Sequence, residues 1–218
     1  FALGGDSILS IQLVSLAHDA QDPAMVATFW GELLQTSVQQ DARGFLVPGS
    51  GTQVGLRFQR SDSEKLAPSV VHLHVTSEGG EQQTLVDRAL SLGASHIDVG
   101  QLPEERHVVL ADPEGNEFCV IEPTNDYLRG CGPLGELACD GLRRTGVFWS
   151  EALGWPLVWD QHEETAVQSP AGGTKVAWGG PPLETKHGRD RQRFDLVGSH
   201  EDVERLERLG AIRLGGSS

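Results

Sequence analysis

The chain has few of the residues that would indicate a disulfide framework, a zinc knot or a membrane anchor. It contains three cysteines, an odd number, and no Cys-x-x-Cys pair, so neither a disulfide set nor a structural zinc site is indicated. No apolar run approaches the roughly 20 residues of a membrane-spanning helix. The chain also does not open with a charged segment followed by a hydrophobic one. We therefore expect a cytoplasmic protein with reduced thiols and no membrane partner.

Positive charge is also scarce. The chain has 17 Lys and Arg residues against 31 Asp and Glu residues, a net charge of -14. Nucleic acids and anionic membranes both require local positive charge, and the one short basic stretch, residues 189–193, is interrupted by Asp190. We therefore expect no nucleic-acid partner. The hydrophobic share of 38% is enough for ordinary globular cores.

What the sequence does contain is a long internal repeat. The segment Phe29–Leu34 returns as Phe148–Leu153, and Leu92–Ala94 returns as Leu209–Ala211. A repeat of this length indicates a duplicated domain and not a stack of small modules. The repeat predicts four segments: an N-terminal extension at 1–10, a first domain at 11–122, a linker at 123–134, and a second domain at 135–218.

Within each copy, strand-like and helix-like patterns alternate in the same order. Asp22 and Pro23 suit the cap and first position of a helix, and apolar residues then recur at helical spacing through Phe29 and Trp30. Gly93 stands where a second helix would end. The order is strand, helix, several strands, twice in the first copy, which predicts an α+β fold of paired βαβββ-like modules.

The second copy is incomplete as it stands. Nothing after Ser218 corresponds to the strands predicted over His107–Glu122 in the first copy. A domain without its last two strands would leave a sheet edge unpaired. We expect that further chain or another chain fills this gap, and a homo-oligomer is one way to do so.

The segment Asp112–Val120, which reads DPEGNEFCV, resembles the glyoxalase-like branch of the vicinal oxygen chelate superfamily, as do the two Phe-Trp helices and the Leu-Gly-Ala segments. The resemblance implies paired βαβββ modules, two of which enclose a cup. Enzymes of this superfamily hold a divalent metal such as zinc, nickel, iron or manganese in the cup and include lyases, isomerases and dioxygenases. Other members, such as bleomycin resistance proteins, sequester a drug there without metal.

The resemblance also implies where metal ligands would stand. Metal-using members carry a His on the first strand of a module and a Glu on its last strand. In the first module the His position falls at Ser15, in the second it falls at His72, and the Glu position falls at Cys119. Glu117 lies two residues earlier on the same strand face. We therefore predict His72 and Glu117 as catalytic residues and His72, His74 and Glu117 as the metal ligands.

Further residues are predicted to contact a small-molecule ligand. In the second copy, Trp155, Trp159 and Trp178 are candidates to line an aromatic pocket for a flat ligand. The predicted ligand-binding residues are Trp30, His18, His74, Cys119, Trp155 and Trp178. Two functions stay open: a metal-dependent lyase, isomerase or dioxygenase, and a metal-free protein that binds an antibiotic.

A third alternative comes from the N-terminus. Residues 1–14 resemble the phosphopantetheine attachment motif of peptidyl carrier proteins, with Ser7 at the modified position. This resemblance implies a partner in nonribosomal peptide synthesis. Only six residues precede Ser7, fewer than a carrier's first helix needs, so a fusion remnant fits the motif as well.

Overall fold

The computed structural model describes residues 11–183, 185 and 190–214, and they form a mixed α+β fold. The carrier-like motif and Ser7 lie outside these residues. The elements in chain order are β1 (Gln12–Ala20), α1 (Pro23–Leu33), β2 (Gln39–Asp41), β3 (Gly44–Val47), β4 (Gly55–Arg60), β5 (Val71–Thr76), α2 (Gln82–Ser91), β6 (Ser95–His96), β7 (Val108–Ala111), β8 (Glu117–Ile121), β9 (Leu134–Cys139), α3 (Arg143–Leu153), β10 (Leu157–Gln161), β11 (Glu164–Gln168), β12 (Lys175–Trp178), β13 (Gln192–Val197) and α4 (His200–Arg208).

Helix α1 begins and ends where the sequence predicts. The Asp22 side chain accepts a hydrogen bond from the Met25 N–H at 3.0 Å, and Pro23 occupies the first turn, where no N–H is needed. The apolar stripe buries Phe29 and Trp30 against the sheets. Helix α2 ends before Gly93, whose φ of +109° is one that glycine adopts without strain.

The elements group into βαβββ modules, as the resemblance implies. Module 1 comprises β1 to β4 with α1, module 2 comprises β5 to β8 with α2, and module 3 comprises β9 to β12 with α3. Module 4 begins with β13 and α4. In modules 1 and 2 the first strand stands at one edge of the module's own sheet, beside the last strand. That edge strand must find a partner from another module.

The strands that join the modules pair across the two sequence copies. Strand β1 pairs antiparallel with β13, which makes a five-stranded sheet in the order β13-β1-β4-β3-β2. Strand β5 pairs antiparallel with β9, which makes an eight-stranded sheet in the order β10-β11-β12-β9-β5-β8-β7-β6. We expected the two modules of one copy to enclose a cup together. Instead module 1 joins module 4 and module 2 joins module 3, because local strand patterns do not specify which edge strands meet.

The segment predicted as a linker also has a packing role. Leu128 and Cys131 lie in a small buried cluster with Val109, Cys119 and Ile121. This cluster is on the face of the eight-stranded sheet away from the helices, so residues 123–134 cover part of that face. The three cysteines are free and buried. In the described part of the chain, no helix has the length and apolarity to cross a membrane.

Candidate functional site

A large hollow lies where modules 2 and 3 meet. Strand alternation puts Val71, Leu73 and Val75 of β5 into the core and turns His72 and His74 to the opposite face. There, His72 borders a cavity of about 540 Å³. Other lining residues come from the linker segment and from strands β9 to β12 and the turn that follows; they include Tyr127, Glu136, Ala138, Trp159, Glu164, Ala177 and Trp178. We call this hollow the large cavity.

His72 supplies the large cavity with an unused hydrogen-bonding nitrogen. Its Nε2 atom is buried and has no hydrogen-bond partner among the described residues. Burial lowers the pKa of His72, against the opposing effect of the Glu117 carboxylate. The ring also hydrogen-bonds to the backbone of Ser69, which leaves Nε2 as the free nitrogen. A neutral imidazole with a free nitrogen is suited to accept a proton or a hydrogen bond from a ligand.

A row of polar side chains crosses the sheet beside His72. Cys119, His74, Glu136 and Lys175 are direct neighbours on β8, β5, β9 and β12. His74 Nδ1 lies 2.8 Å from Glu136 Oε2, and the Tyr127 hydroxyl donates to Glu136 Oε1 at 2.7 Å. Burial alone would lower the pKa of His74, but hydrogen bonds with Cys119 and Glu136 outweigh it and raise the pKa to about 10. His74 therefore carries a proton at neutral pH.

Aromatic rings form one wall of the large cavity. The Tyr127 and Trp159 rings meet edge to face with centroids 6.0 Å apart. Lys175 Nζ lies 3.7 Å from the centre of the Tyr127 ring and also donates to the Tyr127 carbonyl. Burial, followed by Glu136, raises the pKa of Tyr127, so its hydroxyl stays protonated. The wall thus combines flat apolar surface with fixed polar groups.

Two of the three predicted metal ligands, Glu117 and His74, already have other partners. Glu117 pairs with Lys65 Nζ through one oxygen and accepts from the Ser69 N–H at 3.2 Å through the other. His74 is held by Glu136. Among residues 11–183, 185 and 190–214, no three His, Cys, Asp or Glu side chains come together as a metal site. The described residues therefore do not fit the divalent metal that the fold family implies, and we derive no chemistry through one.

The predicted ligand-binding tryptophans are placed differently from one another. Trp30 is buried in the core against Phe118, at a ring distance of 5.0 Å, and its Nε1–H donates to Asp112. Trp155 packs, partly buried, against the same core. Trp178 borders the large cavity but packs closely on Gly141 and Gly146 of module 3, so little of it is exposed.

The remaining predicted residues divide between two regions. Cys119 is in the polar row beside His74 and is buried under Leu128 and Cys131. His18 lies in module 1, at a separate cavity, with its ring stacked on Phe58 at 5.2 Å. His18 and His72 therefore border different cavities, and the assignment of His18 to a ligand stays a prediction.

Sequence reasoning missed Glu136 and Tyr127. The signal for Glu136 was present, because Ser15-Leu16-Ala17 of β1 matches Glu136-Leu137-Ala138 of β9. This match puts Glu136 at the first-strand position where the resemblance implies a ligand. Tyr127 carried no comparable signal, since it lies in the segment predicted as a linker.

Comparison with solved structures supports the fold. Glyoxalase I from Zea mays superposes with a TM-score of 0.61 at 13% identity, over 92% of this chain and 79% of that one. A candidate dioxygenase from Bacillus subtilis superposes with a TM-score of 0.52 at 14% identity, over 91% of this chain and 74% of that one. At this identity the likeness concerns the fold alone. Among proteins with curated descriptions, none matches the chain.

The sequence itself also matches a family model. The model, described as a glyoxalase-like domain, matches residues 15–121 and 136–218, which together make up most of the chain. Each matched stretch corresponds to one copy of the internal repeat. The chain therefore belongs to the glyoxalase-like domain family.

Proposed function

We propose that this protein binds a small, flat organic molecule in the large cavity. The observation that carries the proposal is the cavity itself, about 540 Å³ in volume, with one aromatic wall and a floor of small side chains. Ala138 and Ala177 are neighbours on β9 and β12 and leave the space open. Ligand sites are usually concave, largely apolar, and carry a few placed polar groups, as here.

The polar groups suggest how such a ligand would be oriented. The free Nε2 of His72 can accept a hydrogen bond from one side of the cavity. The two oxygens of Glu136 contact His74 and Tyr127, so Glu136 fixes the wall of the cavity and does not bind the ligand. A flat ligand would therefore stack near Trp159 and donate to His72.

Neutral flat probes test the proposal directly. We expect 2-naphthol to bind the wild-type protein saturably, measured by ligand-observed NMR and isothermal titration calorimetry. Trp159→Ala should weaken this binding about tenfold, because stacking contributes roughly 0.5–1.5 kcal/mol beyond buried area. Val158→Ala, the adjacent exposed residue on β10, is the matched control and should not change it. Equal weakening in both variants, or no binding to wild type, would contradict the proposal.

A second candidate function is proton abstraction by His72. The lowered pKa keeps the imidazole neutral, one ring nitrogen has no partner among the described residues, and the residue borders the cavity, which suits a general base. The substrate class would be small carbonyl compounds with an acidic C–H next to the carbonyl group. Deuterium exchange into hydroxyacetone should then be faster with wild type than with His72→Gln. The rate should fall as pH drops through the lowered pKa of His72, because the base becomes protonated.

Metal analysis separates these functions from the metal-dependent lyase, isomerase or dioxygenase that the family resemblance suggests. Purified protein would be analysed for zinc, nickel, iron and manganese. One metal per chain, lost in His72→Ala and retained in His96→Ala, would favour the metal-dependent alternative. An antibiotic-binding role predicts instead that drug molecules compete with 2-naphthol for the large cavity.

A further inference from the structure

A second, smaller cavity lies where β1 and β13 meet the connector between β4 and β5. Its volume is about 170 Å³, and its lining includes His18, Lys65, Ser69, Arg191 and Gln192. It is distinct from the large cavity, although Ser69 and Val70 border both. Neither the family resemblance nor the proposed function assigns it a role. We call it the small cavity.

His18 presents a hydrogen-bond donor that has no acceptor. The residue is 4% exposed, and its Nε2 atom is buried without a partner among the described residues. Gln192 accepts from the Val71 N–H through Oε1, so its amide nitrogen points to Val71 O and, at 3.4 Å, to His18 Nδ1. An amide nitrogen only donates, so Nδ1 accepts and the proton resides on Nε2. The imidazole therefore offers an unsatisfied N–H.

Arg191 supplies a second unsatisfied donor to the same cavity. Its Nε atom is buried without a partner, while Nη2 donates to the Asp19 carbonyl at 2.7 Å. Nη2 also lies 3.5 Å from Glu114 Oε2, so the guanidinium is anchored at one end only. Burial, then Arg191 and Arg193, lowers the pKa of His18 to about 3, which keeps it a neutral N–H donor. Two buried donors without acceptors lower the stability of the fold unless a bound ligand supplies the acceptors.

The charges around the small cavity restrict what that acceptor could be. Asp19 is paired with Arg193 at 2.7 Å, and Lys65 is paired with Glu117. Glu64 lies exposed among the lining residues and repels large or multiply charged anions. A molecule with two oxygens, a single negative charge and a short chain meets these conditions.

We propose that the small cavity binds a small monocarboxylate whose oxygens accept hydrogen bonds from His18 Nε2–H and Arg191 Nε–H. A carboxylate has two acceptor oxygens, one for each of the two unsatisfied donors. The cavity volume of about 170 Å³ accommodates a ligand the size of formate or acetate. The proposal is independent of what the large cavity binds.

Acetate titration with NMR detection of the histidine ring nitrogens tests it. We expect a saturable shift of the His18 Nε2 signal with a millimolar dissociation constant, and a similar effect of formate. His18→Phe keeps the ring that stacks on Phe58 but removes the donor, and should weaken acetate binding at least tenfold by calorimetry. His96→Phe, the same change at an exposed residue, is the control and should have no effect.

A second variant separates the contribution of the Arg191 Nε–H donor from that of the positive charge. Arg191→Lys keeps the positive charge but removes the Nε–H, so acetate binding should also fall at least tenfold. This variant tests the proposal even if His18→Phe does not fold. Absence of a saturable shift in wild type, or acetate binding unchanged in Arg191→Lys, would overturn the proposal. Titration of 2-naphthol in the same samples reports on the large cavity separately.

Discussion

The two sheets turn corresponding faces away from the helices, and in the part of the chain that the structure describes the large cavity lies on the face of the eight-stranded sheet. In the five-stranded sheet Ser15 lies opposite Asp195, and in the eight-stranded sheet Glu136 lies opposite His74. Next to these pairs, Ala17 neighbours Arg57 on β4, whereas Ala138 neighbours Ala177 on β12. Arginine in one sheet thus takes the position that alanine has in the other.

The Arg57 side chain fills its face and forms ion pairs there with two aspartates. Arg57 is 6% exposed; its Nη1 lies 2.8 Å from Asp41, and its Nε lies 3.4 Å from Asp195. Arg43 also contacts Asp195 at 2.7 Å. Arg57 and Ala177 are therefore the side-chain difference at this position, in sheets that also differ in having five and eight strands.

The largest effect is expected when the Arg57 side chain is removed from the sheet face that it fills. Arg57→Ala should lower the free energy of unfolding by about 3 kcal/mol, because it leaves Asp195 buried with one partner fewer. Urea denaturation would measure this. Arg60→Ala, on the same strand but with a side chain that is 69% exposed, should change stability by no more than about 0.5 kcal/mol. If both variants lost a similar free energy of unfolding, the ion pairs of Arg57 would contribute no more to stability than those of an exposed arginine.

The reverse change should fill the open face. Ala177→Arg places a long side chain in the large cavity and should weaken 2-naphthol binding roughly 100-fold, about 2.7 kcal/mol. Overpacking should also cost about 1–3 kcal/mol of stability. Ala171→Arg, in an exposed turn, is the control and should leave binding unchanged. Retained binding in Ala177→Arg would mean that the probe binds elsewhere.

A smaller effect is expected from the buried His74–Glu136 pair. The folded pKa of His74, about 10, is above the unfolded value of 6.5. The proton on His74 therefore stabilises the fold fully below pH 6.5, and this contribution is lost as pH rises toward 10. Glu136→Gln should cost about 2 kcal/mol at pH 6 and less at pH 9.5. If the stability difference between Glu136→Gln and wild type did not change with pH, the assignment of a protonated His74 would be contradicted.

The smallest effect should come from the hydroxyl that joins the linker segment to this pair. Tyr127→Phe removes only the 2.7 Å hydrogen bond to Glu136 and should cost about 1 kcal/mol. Its effect should not change between pH 6 and 8, because the Tyr127 hydroxyl stays protonated throughout. Denaturation of Tyr127→Phe and Glu136→Gln side by side distinguishes the hydrogen bond of the hydroxyl from the His74–Glu136 ion pair.

Much of the local structure could be predicted from the sequence. Helix α1, with its Asp22 cap and Phe29-Trp30 stripe, follows from rules that involve only neighbours along the chain. His72 was correctly placed on a strand, and the structure puts it at a cavity. The assignment of Trp30 to the ligand remains a prediction, although the structure places it in the core, since an aromatic residue in a helical stripe suits both roles.

The cavity around His72 could not be predicted in the same way. Its other walls come from β9 and β12, which follow β5 only after a whole module, and from Tyr127 in the predicted linker. Which edge strands pair depends on the free energy of the whole assembly, and the alternation of apolar residues is equally compatible with pairing inside one copy. For the same reason the sequence does not predict that His18 and His72 border different cavities.

By itself, the sequence determined the repeated βαβββ order, the helix boundaries and the faces on which residues such as His72 and His74 lie. These properties depend on periodicity and capping, which act over a few residues. Only the tertiary structure decided that β5 meets β9, that Glu136 and Tyr127 support His74, and that Arg57 fills one face while Ala177 leaves the other open. Those outcomes depend on contacts between distant segments, where space and charge are shared among modules.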